Sequence, residues 1–213
     1  MTSILSVTTP ASDRNLLTVA ELRAAVGVTD ASQDAKLVTL GNRVSATITA
    51  ACRVTASGAV PPTLRLETLS EQFRLKSTQD ILVLSRRPIV SLDTVVENAV
   101  ALDVDYDCEF DSVSGAVYRL LSDDRICWPC GKIVFGFSAG WATVPEDLKL
   151  AASKLAAVLW SEADVVDTSS RRVDVPGLIN IERWASGKDD PLVPTEIYEI
   201  LENGGYVNRA MIG

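Results

Sequence analysis

The sequence predicts an α+β fold, mainly α: a helical bundle with an inserted antiparallel β-rich region and an extended C-terminal arm. Three observations carry this reading. Apolar residues recur at helical spacing before residue 53 and again after residue 145. Between about 63 and 140 they fall instead in short alternating runs separated by turn residues. The stretch 131–162 joins the two regimes, passing from β-rich residues through Ala139-Gly140-Trp141 and Val144-Pro145 into an amphipathic helix. The domain plan that follows is a flexible N-terminal lead over 1–15, a helical core with its β-rich insertion over 16–163, and an arm, short helix and tail over 164–213.

Each element has a local cause. Residues 1–15 are small and polar, which predicts a flexible lead. Thr18 stands three residues before Glu21, the spacing of a capping box, so a short helix starts at Val19 and stops at Gly27. A second helix starts at Thr29-Asp30 and runs to about Arg53, with Leu37, Leu40, Val44, Ile48 and Ala51 on one face. The short link between them favours an antiparallel or steeply crossed pair. The prolines of Ser57-Gly58-Ala59-Val60-Pro61-Pro62 break the helical pattern.

Strand-like runs follow through Leu64, Leu66, Phe73, Leu75, Ile81, Val83, Ile89, Val95 and Val96, with Arg86-Arg87-Pro88 as a boundary. They continue over 103–110, 116–121 and 132–137, punctuated by Ser114-Gly115 and Pro129-Cys130-Gly131. Pro145 then fits the first turn of a helix, and Glu146-Asp147 place negative charge at its positive dipole end. Leu148, Ala151, Ala152, Leu155, Val158 and Leu159 give that helix a packing face to about Ala163. Residues 164–191 read as a polar excursion, and Pro194 opens a last short helix stopped by Gly204-Gly205.

With 47% apolar residues the chain can build a core, and its net charge of -8 has the wrong sign for gripping nucleic-acid phosphates. No stretch approaches the roughly 20 apolar residues of a membrane span. The start lacks the basic flank and apolar run of a signal peptide, so a soluble, intracellular protein is expected. Four cysteines are too few for a disulfide scaffold and read as reduced.

The chain has no histidine, which removes the commonest general base and every Ser-His or Cys-His dyad. Cys127-Trp128-Pro129-Cys130 has the spacing of a redox motif, but the residues after it read as strand, without a helix start to stabilise a thiolate. A zinc site would need Cys52 and Cys108 as its second pair, and they form no second knuckle. A β-turn with small half-buried thiols is the expected reading. Asp103, Asp105, Asp107, Glu109 and Asp111 recur at every second position, which on a strand places them on one face. Their spacing is not that of a calcium loop, so they read as a solvated face, or one turned toward a neighbouring subunit's basic residues. Asp123-Asp124-Arg125 and Arg171-Arg172 read as solvated charges, able to pair across interfaces in an oligomer. The glycines of Gly136-Phe137-Ser138-Ala139-Gly140 lack the lysine of a phosphate loop. Trp141, Trp160 and Trp184 read as packing anchors or interface hot spots. No catalytic residue, metal or cofactor is expected.

In order, then, the chain reads helix pair, β-rich insertion, Gly-Trp-x-x-Val-Pro, helix, arm and short helix. This resembles the head-tail connector, or adaptor, proteins of tailed bacteriophages and gene transfer agents. The residues that carry the likeness are Leu17-Thr18-Val19-Ala20-Glu21-Leu22-Arg23, Arg87-Pro88-Ile89-Val90-Ser91-Leu92 and Ile133-Val134-Phe135-Gly136-Phe137-Ser138-Ala139-Gly140-Trp141. Val144-Pro145-Glu146-Asp147-Leu148-Lys149 and Leu192-Val193-Pro194-Thr195-Glu196-Ile197 continue it, over about residues 16–203. The excursion over 164–191 and the cysteine turn depart from the pattern. The resemblance implies a structural virion protein rather than an enzyme, located in the neck at the head-tail interface and in the host cytoplasm during assembly. It implies a ring of copies, commonly twelvefold, that docks on the portal protein and joins the capsid to a downstream neck or tail-completion protein. DNA would pass through its channel without specific binding, past an acidic wall. Portal contact maps onto Tyr206, Val207, Asn208, Arg209, Ala210, Met211, Ile212 and Gly213. Another neck or tail-completion protein, or a metal-dependent enzyme using carboxylates, are the alternatives, and no membrane partner is expected.

Overall fold

A computed structural model of the chain describes residues 2–58, 60–163 and 193–208. The expected excursion over 164–191, with Arg171, Arg172 and Trp184, lies outside them, as do Arg209, Ala210, Met211, Ile212 and Gly213. The described residues form five α-helices and two antiparallel sheets, with helix and strand near parity. The expectation of a mainly α helical bundle is therefore corrected. The β-rich region does fall between the helical segments, as expected, but it builds a core of its own and also recruits residues 2–9.

The chain divides into two compact units, Met1–Arg14 with Val54–Val144 and Asn15–Arg53 with Pro145–Gly213. In the first, strands β1 (Thr2–Thr9), β2 (Glu67–Leu75), β4 (Ile89–Glu97), β5 (Val100–Leu102) and β9 (Gly131–Ala139) make a sheet in the order β1-β2-β9-β4-β5. Strands β3 (Leu82–Val83), β7 (Ala116–Leu121) and β6 (Cys108–Phe110) make a smaller one, and β8 (Asp124–Ile126) also pairs with β7. β1 occupies the stretch expected as a flexible lead. It runs antiparallel to β2 from Thr2 opposite Arg74 to Val7 opposite Leu69, and Leu5 and Val7 pack on the core. Alternation of Ser and Thr with three aliphatic residues suits a pleated edge, although it carries little apolar signal.

The first core is built by alternation. β9 buries Ile133, Phe135, Phe137 and Ala139, and β2 buries every odd position from Glu67 to Leu75. Phe135 meets Phe73 and Trp128 edge to face at 5.7 and 5.4 Å between centroids. Trp128 is fully buried, and its indole N–H donates to the Val117 carbonyl at 3.1 Å. The middle tryptophan-bearing turn therefore anchors the core. Gly140 ends β9 at φ 104°, where a Cβ would stand 2.5 Å from the Arg65 carbonyl oxygen, so only glycine fits without displacing backbone.

In the second unit, α1 (Val19–Val26) has the expected capping box: Glu21 N–H donates to the Thr18 hydroxyl, and Thr18 N–H donates to the Glu21 carboxylate at 2.7 Å. Gly27 closes it in the left-handed conformation, φ 73°. The second helix begins later than expected. Asp30 caps a 3-10 turn over Ala31–Gln33, after which α2 spans Asp34–Ala51. α4 (Glu146–Ala163) buries Leu148, Ala151, Ala152, Leu155, Ala156 and Leu159, and packs against α1, α2 and α5 (Thr195–Asn203). Among the described residues no helix is long and apolar enough to cross a membrane.

Trp128→Phe should lower the unfolding free energy by about 1 to 3 kcal/mol, since it removes the buried indole hydrogen bond and opens a small void. Urea denaturation checks this, and a loss below about 0.5 kcal/mol would remove the indole's anchoring role.

Candidate functional site

Strict alternation along β2 turns Glu67 and Glu71 inward with Leu69, Phe73 and Leu75. Glu71 is fully buried and accepts hydrogen bonds from the Ser85 backbone N–H at 2.8 Å and the Ser85 hydroxyl at 2.5 Å. Burial raises its pKa above the usual carboxylate range, against the lowering effect of hydrogen bonds from Ser85 and Ser3. Glu67 faces Arg86, which is also buried. Their nearest atoms stand 3.7 Å apart, an ion pair too long to be a hydrogen bond. Arg86 Nη1 donates to the Thr63 carbonyl at 2.7 Å, and Arg14 lies 4.0 Å from the other Glu67 oxygen. Burial depresses the Arg86 pKa, with Glu67 opposing and Arg14 adding to the effect.

These groups tie β2 to the segment between β3 and β4. An open cleft of about 190 Å³, lined by Ala11, Asp13, Arg65 and Trp141 among others, includes none of them and is smaller than ordinary ligand pockets. Sequence reading missed all three charges, although the period-two pattern from Glu67 to Leu75 carried the signal for the carboxylates.

The cysteine turn sits before β9, as expected, but both Cys127 and Cys130 are exposed rather than half-buried, because Trp128 takes the inward position. The Cys127 thiol donates to Asp80 at 3.0 Å, and that carboxylate raises the thiol pKa, away from the thiolate that redox chemistry requires. Cys52 and Cys108 are buried, which pushes their thiols up to about 12 and about 11. Among the described residues no three acidic, cysteine or histidine side chains are grouped to hold a metal.

The expected one-faced strand of acids is also corrected. Asp103 accepts from the Asp105 N–H at 3.1 Å, and Asp107 accepts from the Asp103 N–H at 2.9 Å. These local bonds fold Val104–Asp107 into a helical turn, α3, and leave only Cys108–Phe110 as strand. Arg119 pairs with Asp107 at 3.3 Å and Glu97 at 3.1 Å, and Arg125 pairs with Glu109 at 2.8 Å while lying 3.8 Å over the Tyr118 ring.

At the C-terminal side, Tyr206 and Val207 are buried in the second unit. The Tyr206 hydroxyl donates to Asp147 at 2.5 Å, and burial with that carboxylate raises its pKa. Asn208 donates through its backbone N–H to the Cys52 carbonyl at 2.9 Å and through Nδ2 to the Arg53 carbonyl at 3.2 Å. The chain is thus pinned between the end of α2 and the start of α4 just before residue 209. Three of the eight residues expected to touch a portal are internal anchors, and the other five lie outside the described residues. Of the tryptophans expected as anchors, Trp141 and Trp160 are half-buried.

The fold is one that occurs in gene transfer agent particles. A chain in the neck of an empty gene transfer agent particle, computed with C6 symmetry, matches at TM-score 0.59 and 18% identity over 99% of this chain and 98% of its own. A chain of the virion of a native gene transfer agent particle matches at TM-score 0.53 and 20% identity, covering 81% of this chain and 89% of that one. A third, in the native neck computed with C12 symmetry, matches at TM-score 0.53 and 16% identity over 99% and 98%. At these identities the likeness is one of fold, and it is consistent with the head-tail connector resemblance carried by the sequence. No protein-family model and no curated protein matches the chain.

Because the folded pKa of Glu71 is raised, its favourable contribution is complete below the ordinary carboxylate value and is lost as pH rises through the raised value. Stability should therefore fall more between about pH 5 and about pH 8 in the parent than in Glu71→Gln. Parallel urea titrations at the two pH values test this, and equal falls would assign the pH dependence to other groups.

Proposed function

We propose that this chain is a structural component of a virion neck, a head-tail connector subunit that forms a ring on a portal protein, extends the DNA channel and joins capsid to tail. The observation that carries the reading is the end-to-end likeness of fold, 99% of this chain against 98% of a chain in a gene transfer agent neck. Three further features support it. The buried carboxylates and Arg86 act as ties rather than as a reaction centre. The net charge of -8 disfavours adhesion to passing DNA. Tyr206, Val207 and Asn208 hold the chain end at a fixed point on the second unit.

The partners are the portal protein, the next neck or tail-completion protein and further copies of this chain, commonly twelve in the ring. DNA contacts the channel without sequence recognition. The eight-residue portal contact divides into two roles: Tyr206, Val207 and Asn208 aim the segment, and Arg209, Ala210, Met211, Ile212 and Gly213 reach the portal. A short segment launched from a rigid base loses less conformational freedom on docking than a free one.

Native mass spectrometry of the protein mixed with its cognate portal should give one copy per portal subunit. Absence of a complex would overturn portal docking and favour a tail-side neck position. Deleting 209–213 should abolish the complex with an unchanged melting profile, whereas deleting 206–213 should also lower the melting temperature, because the buried Tyr206 and Val207 go with it. Full portal binding after the shorter deletion would refute the division of roles.

A further inference from the structure

Two surfaces of this chain are opposite in charge, and the acidic one exposes large apolar side chains. The first runs through α3, the edge strand β6 and the turn after it. Tyr106 is 78% exposed and Val113 77%, and Phe110 also reaches solvent. Asp103, Asp105, Glu109 and Asp111 are exposed around them, and from Asn98 to Tyr118 the sequence contains no lysine or arginine. Asp103 and Asp111 spend their carboxylates on local backbone N–H groups and Glu109 meets Arg125, but Asp105 has no side-chain partner among the described residues.

The second is the outward face of α2. From Ala35 to Arg53 the sequence has no acid, against a chain that is acidic overall. Lys36 and Arg43 are exposed, seven positions apart and so on one face about 10 Å apart. Neither makes an ion pair among the described residues. Thr39, Ala46 and Ala50 are exposed on the same face and make a shallow strip of small side chains beside the two cations.

We infer that the apolar, acid-rimmed surface around Tyr106 and Val113 docks on the basic α2 face of a second copy of this chain. The two surfaces are opposite in charge, and the exposed Tyr106 and Val113 can lie across the small side chains of the α2 face with charge at the rim. Charge complementarity selects this arrangement among copies that otherwise repel one another. Because the patches are different, the contact is head-to-tail, and head-to-tail contacts that close generate a ring. A two-fold pairing of either surface with itself would oppose like charges. The inference rests on the ring reading above and names the faces by which neighbours meet.

The test uses the full chain assembled on its portal, with the parent ring observed first. Lys36→Glu with Arg43→Glu should raise the concentration needed for ring assembly at least tenfold and weaken its dependence on salt. Asp105→Lys with Glu109→Lys should do the same, and the four changes together should restore assembly to within about threefold of the parent. Unchanged melting profiles keep misfolding out of the comparison. Tyr106→Ala should weaken assembly while leaving the salt dependence intact. Normal rings from both charge-reversed pairs, or no recovery in the fourfold variant, would overturn the inference while leaving the connector reading in place. Rings of normal size that fail to attach the tail would give the α2 face to the next neck component and overturn it likewise. Absence of rings from the parent protein would sink the connector reading itself.

Discussion

Backbone pairing along both edges of β9 organises the first unit, and the helix that follows it organises the second. β9 runs beside β2 in unbroken register from Glu67 opposite Ala139 to Leu75 opposite Gly131, and beside β4 with two register shifts. A strand paired on both sides has no free edge, so its inward residues, Ile133, Phe135 and Phe137, fix where Phe73 and Trp128 stand. Past Gly140 and Pro145 the same stretch of chain becomes α4, against which α1, α2 and α5 all pack. One run of about thirty residues thus supplies the central element of each unit.

Charge is distributed by depth, and each depth has its own consequence. Inside, Glu67 meets Arg86 and Glu71 meets Ser85, so ionisable groups act as ties whose removal would strand a partner in a low-dielectric interior. At the surface the acids of 103–111 are spent on turns and pairs, and what remains sets how the chain meets other molecules.

The legible parts of the sequence were those with local causes. Thr18 and Glu21 announce α1 because a capping box is complete within four residues, and Pro145 with Glu146 announces α4 in the same way. Strand β9 was legible from its own apolar run. The lead was misread because β1 has only Ile4, Leu5 and Val7 among serines and threonines, and its place is decided by β2, about sixty residues away. The acids of 103–111 were misread because strand periodicity and Asx hydrogen bonding make opposite use of the same residues, and the shorter-range bonds won. Trp128 was overlooked in a turn whose cysteines drew the chemistry. Tyr206, Val207 and Asn208 were expected to touch a partner, and their inward anchoring was not legible because it depends on Asp147 and Cys52, which no local pattern ties to them.

The chain passes between its two units three times, near residues 14, 53 and 144. During synthesis this sets a timetable. β1 leaves the ribosome first, yet β2 begins only at residue 67 and β9 at residue 131. At synthesis rates of roughly 5 to 20 residues per second, the first strand waits on the order of ten seconds before its sheet can be completed. α1 and α2 wait as long for α4. Until β2 emerges, β1, which bears neither charge nor proline, has no sheet partner and is open to a neighbouring nascent chain, and in the finished sheet it stays at the edge beside β2. A second nascent chain can therefore pair with β1 before its own β2 does, and close spacing of chains during synthesis raises that risk.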